Sequence, residues 1–95
     1  MARKLTPTVL FSGVIPFDWG KPQLEGKSLK IVDMVGGAEA GTMRFSDHFN
    51  WGYATFFRSN NAQPGDVLRG VADLERDLCY LELGGDELLS EPFGW

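Results

Sequence analysis

Asp47 and His48 are the neighbours in this chain best suited to acid–base chemistry. His48 is the single histidine among 95 residues, and histidine is the side chain whose ordinary pKa lies nearest neutrality. An adjacent carboxylate can orient it as a general base. Neighbours on a strand point to opposite faces, however, so the two meet only where residues 47–48 form a turn. Arg44, Asn50, Trp51 and Tyr53 stand close by in the sequence. An aromatic-lined pocket with Arg44, Asp47, His48 and Asn50 as its polar contacts would take a small ligand. Ser46 is only a sequence neighbour, and no sharp-elbow motif marks a Ser or Cys nucleophile, so no catalytic residue is assigned.

Other chemistry is sparsely provided. One His and one distant Cys do not make a zinc site. The acidic run "DLERDLCYLELGGDE", 73–87, lacks the alternating oxygen ligands of a calcium loop. No metal or other cofactor is expected. Cys79 lies among Leu78, Tyr80 and Leu81, which points to a buried, inert thiol. A lone cysteine also forms no internal disulfide.

A second set of residues concerns partners. The net charge is −4. Residues 1–48 contribute +1, from six Lys/Arg and five Asp/Glu; residues 49–95 contribute −5, from three and eight. An acidic half repels phosphate backbones, so nucleic acid is not the expected partner. A basic protein surface is, through Asp73, Glu75, Asp77 and Glu82. Phe93 and Trp95 in the "EPFGW" end would cross to a neighbour in a homo-oligomer, most simply a dimer.

These residues need elements to position them. Residues 8–15, "TVLFSGVI", are β-branched and apolar and read as a strand stopped by Pro16. Residues 16–27 hold two Pro and two Gly and read as a loop, anchored by Phe17 and Trp19. Residues 28–37, "SLKIVDMVGG", read as a second strand, with Leu29, Ile31 and Asp33 on one face and Lys30, Val32 and Met34 on the other. The "GGAEAG" stretch, 36–41, is a turn. It lacks the Gly-Lys-Ser/Thr ending of a phosphate loop.

From Thr42 to Arg58 the sequence alternates with period two. Odd positions carry Met43, Phe45, Phe49, Trp51, Tyr53 and Phe57. Seventeen residues exceed one ordinary strand, so a hairpin is expected, turning near Ser46, Asp47, His48 and Asn50. Opposed residues of a hairpin share a face. A loop with an odd number of residues, 46–48 or 47–49, puts Phe45, Trp51 and Tyr53 together on a core face. A two-residue loop would send the aromatics to opposite faces.

Residues 59–66 lead into an expected amphipathic helix. Val67, Val71, Leu74, Leu78 and Leu81 are spaced four, three, four, three. Asp66 or Asn61 would cap it, Arg69 and Asp73 would pair across one turn, and Gly84-Gly85 would end it. One rival makes 78–83 a final strand; another makes 67–83 a second hairpin. The tail "DELLSEPFGW" allows one helical turn before Pro92.

"WGYATFF", 51–57, resembles the aromatic strand of the RNA recognition motif, through Gly52, Tyr53 and Ala54, and "VLFSGVIP", 9–16, looks like that family's first strand. Trp51 replaces the basic residue that precedes the Gly in the motif, and Thr55 stands where an aromatic belongs. The resemblance implies single-stranded RNA stacked on Tyr53.

The start, "MARKLTPTVLFSGVIPF", has Arg3 and Lys4 before an apolar stretch, as a leader does, but Ser12, Gly13 and Pro16 break it. No run is long enough to span a membrane, and a cytoplasmic location is expected. The expected fold is one α+β domain over 1–95: an antiparallel sheet of about four strands with one amphipathic C-terminal helix packed on it, or else a mainly-β small barrel. The expected function is a small acidic protein-association module that self-associates. A small-ligand or enzymatic site near Arg44, Asp47 and His48 is the alternative, and single-stranded RNA binding the third reading.

Overall fold

The computed structural model describes residues 2–16, 26–46 and 49–90. The expected anchors Phe17 and Trp19 lie outside them, as do Asp47, His48, Phe93 and Trp95.

The first element departs from the sequence expectation. Ala2–Lys4 form a short strand, β1, but Pro7–Ser12 form a helix, α1, and only Ile15–Pro16 form strand β2. End signals outweigh the β-branched composition here. Thr6 caps the helix by accepting from the Val9 N–H, and Pro7 opens it. Gly13 closes it at φ 67°, donating its N–H to the Val9 carbonyl at 2.8 Å. A strand over 8–15 would forfeit both caps.

Ser28–Asp33 and Glu39–Ser46 form β3 and β4, a hairpin that pairs Leu29 with Met43. Its turn is held by Asp33, whose carboxylate accepts from the Val35 N–H and whose carbonyl accepts from the Gly37 N–H. Phe49–Trp51 form β5, and Ala54–Ser59 form helix α2.

The expected helix over 67–81 is a hairpin: β6, Val67–Asp73, runs antiparallel to β7, Leu78–Gly84. The rival two-strand reading was the better one. Leu68, Gly70 and Ala72 face the core opposite Leu83, Leu81 and Cys79. Gly70 and the β-branched Val67 and Val71 weaken a helix. Gly84 therefore ends a strand rather than a helix. The Asp73 carboxylate accepts from the N–H groups of Glu75 and Arg76 and so shapes the turn. Glu87–Ser90 form the single turn of α3.

Among the described residues seven strands, rather than the expected four, make one curled, half-barrel sheet in the order β1-β6-β7-β3-β4-β5-β2. Only β3 and β7 pair in parallel among the described residues. The fold is α+β, and the curl fits the small-barrel alternative. β1 and β2 are its two edges, so α1 carries the chain from one edge of the sheet to the other. Such short edge strands offer little template for further pairing.

The core lies between the concave face of the sheet and helices α1 and α2. It contains Leu5, Val9, Ile15, Leu29, Ile31, Met43, Phe45, Tyr53, Phe56, Phe57 and Leu81, all buried. Asn60 ties the end of α2 to β3, its side-chain amide donating to the Asp33 carboxylate at 3.1 Å. On the other side of the sheet, Leu88 of α3 packs against Gly84, and Lys4 meets Asp86 at 3.3 Å. Among the described residues no helix is long and apolar enough to cross a membrane.

Candidate functional site

Ser46 pairs with Phe49, Phe45 with Asn50, and Arg44 with Trp51. Two residues therefore separate the strands, an even number. The odd-loop expectation is overturned, and the aromatic row is split. Phe45 stays inside, fully buried, while Phe49 and Trp51 turn outward and are 41% and 42% exposed.

The outward pair makes contacts of its own. The Phe49 and Trp51 rings meet edge to face with centroids 6.1 Å apart. The Trp51 indole N–H donates to the Ser46 carbonyl at 3.3 Å. Arg44, exposed on β4 directly opposite Trp51, lies on the same face. Aromatic rings and arginine are the side chains that most often dominate binding energy at protein contacts.

The even loop also sends Asn50 inward. Its backbone pairs with Ile15 on one side and Phe45 on the other, both buried core residues. Asn50 is fully buried, and neither amide atom makes a hydrogen bond among the described residues. It is thus a core residue rather than the polar contact the sequence suggested.

Gly52 then takes the chain off the sheet. Its φ is 104°, and a Cβ there would overlap the Thr42 carbonyl oxygen. This break in the strand restores Tyr53 to the interior at the start of α2. The Tyr53 hydroxyl donates to Met43 Sδ at 3.6 Å, and its ring stacks on Phe57. Burial, together with nearby Cys79, raises the Tyr53 pKa well above its ordinary value. Burial pushes the Cys79 thiol up to about 12. Neither group is poised to react at neutral pH. The ring that the RNA-motif resemblance would use for stacking is inside the protein.

The acidic residues do not share one face. Glu82 is ion-paired with Arg69, both side chains largely buried. Arg69 therefore does not pair with Asp73 across a helical turn. Asp73 is engaged in the β6–β7 turn and lies 3.8 Å from the Arg76 Nε. Glu75 and Asp77 are exposed at the tip of that hairpin, with Asp77 at φ 54°. Asp66 accepts from the Gln63 N–H in a loop rather than capping a helix. Among the described residues no three His, Cys, Asp or Glu side chains group as metal ligands.

A second surface feature lies between α1 and α2. Tyr53 N–H donates to the Gly13 carbonyl, and a Cβ on Gly13 would press on Ala54, so the two helices touch there. Beside that contact lies an open depression of about 480 Å³ whose lining includes Leu10, Phe11, Ala54, Phe57, Arg58 and Asn61. Phe11 is 94% exposed. The strand expected over 8–15 hid both Phe11 and this depression. Comparison of the chain with protein-family models, curated proteins and solved structures gives no match.

Proposed function

We propose that this chain is a protein-association module that pairs with a second copy of itself through the outer face of β4 and β5. One observation carries the reading: the Ser46–Phe49 register turns two aromatic rings outward, in contact with each other and on the same face as Arg44. Rings that already contact each other in the free protein lose less conformational entropy on binding than free ones. In a two-fold arrangement the same patch serves both copies, and Arg44 of one copy stacks over Trp51 of the other.

Concentration-dependent NMR tests this. Raising the protein from micromolar to millimolar should shift the Phe49 amide and the Trp51 indole N–H together, with a matching rise in sedimentation mass. Trp51→Ser should abolish both effects while leaving the remaining spectrum folded. The association should persist in high salt, because apolar burial drives it. A chain that stays monomeric at millimolar concentration, or binds single-stranded RNA tightly in physiological salt through this face, refutes the proposal.

A further inference from the structure

The α1–α2 depression has the chemistry of a binding site distinct from the β4–β5 face. Part of its wall is apolar: Leu10 and Phe57, which belong to the core or pack against it, together with Ala54 and Ala62, while Asn61 and Arg58 supply the polar part. Its volume of about 480 Å³ lies within the range of small-molecule sites, roughly 300–1,000 Å³. Phe11 stands at its rim with almost the whole side chain in water, so it adds apolar surface that an occupant of the depression could bury. Among the described residues Arg58 is the charged side chain that lines the depression, and it makes no ion pair there. It lies in the last turn of α2, where the helix favours a cation, and among the described residues its guanidinium donates to no partner.

We infer that this depression binds a small carboxylate with an apolar chain, the chain lying on Leu10 and Phe57 under the Phe11 ring and the carboxylate on Arg58. Charge complementarity selects the occupant. An apolar wall alone would take any oily molecule, whereas an unpaired guanidinium at its edge favours a carboxylate that can accept two parallel N–H bonds.

Octanoate is the probe, with octanol as its uncharged counterpart, each titrated into the full chain and followed by backbone amide shifts. Octanoate should shift residues 10–13 and 54–62 saturably and leave Phe49 and Trp51 unmoved. Arg58→Gln, at an exposed position, should weaken octanoate by about fivefold, as expected for a solvent-exposed ion pair, and leave octanol unchanged. Phe11→Ala should weaken both. Absence of saturable shifts, equal affinity for octanol and octanoate, or shifts centred elsewhere overturns the inference. So do α1–α2 shifts that depend on protein concentration without probe, which would make a second copy the occupant. Trp51→Ser should bind octanoate as the parent does, so failure of the β4–β5 proposal and failure of this one are read separately.

Discussion

Ser46 and Phe49 stand directly opposite each other across β4 and β5, with two residues between them. That even count places Phe49 and Trp51 outside, Asn50 inside, and Phe45 against the core. Trp51 is therefore a surface residue held by one ring contact and one hydrogen bond. Trp51→Ala is expected to cost about 1 kcal/mol or less, whereas Phe56→Ala, which empties a fully buried site, should cost about 3–5 kcal/mol. Urea denaturation of the two variants gives the comparison. Equal losses would show Trp51 packed as core.

Asn50 sits buried between Ile15 and Phe45, and among the described residues its amide has no hydrogen-bond partner. Desolvating an amide without a partner is unfavourable, and leucine has nearly its volume. Asn50→Leu is expected to raise stability by about 1–2 kcal/mol. A lower denaturation midpoint would instead mean that the amide is satisfied in solution, and a high-resolution map of the site would then reveal its partner.

Gly52 combines a φ reserved for glycine with backbone contact to Thr42. Gly52→Ala should cost about 2–4 kcal/mol, from left-handed strain and displacement of β4. The loss should appear as changed amide shifts along Thr42–Arg44. A neutral variant would place the chain differently at this point.

Stability should fall in alkali. Burial keeps the Cys79 thiol protonated in the folded chain up to about 12, whereas its ordinary value is 9.0. Between these values the unfolded chain releases a proton that the folded one retains, so the stabilisation is whole below pH 9 and is lost as pH rises toward 12. Tyr53, raised for the same reason, acts in the same direction above its own ordinary value. Denaturation midpoints from pH 8 to 11 should decline, and Cys79→Ala should flatten part of that decline. A thiol reagent should modify native Cys79 only as fast as the chain opens.

The carboxylates separate into two kinds. Glu82→Gln breaks a largely buried pair with Arg69 and should cost about 1–3 kcal/mol. Glu75→Gln, at the exposed hairpin tip, should change stability by less than about 0.5 kcal/mol. Thermal melts of both variants settle the order. A reversed order would move the ion pair to the surface.

Alternation along the chain was enough to identify the inner residues of β3 and β4. Leu29, Ile31, Met43 and Phe45 follow period two, and so does Asp33, which reaches Asn60 on the core side. The Leu78-Cys79-Tyr80-Leu81 context likewise marked the buried thiol. Local signals carried this much because a strand with one buried face must alternate whatever its neighbours are.

The candidate site was less legible because it depends on a count. One residue more or fewer between β4 and β5 exchanges the inner and outer sets, and composition does not fix that number. The Val67–Leu81 seam fits a helix and a hairpin almost equally; pairing of β7 with β3 makes it a strand. In 7–12 the conflict was between β-branched residues and the Thr6, Pro7 and Gly13 caps. The sequence by itself determined an apolar core, an acidic C-terminal half, strand β3 and the 42–46 part of β4, whose first residues, 39–41, read as turn. Tertiary structure decided which aromatics face water, because only the assembled sheet sets the register of β5 and only the packing of α1 on α2 leaves Phe11 and Arg58 beside an open depression.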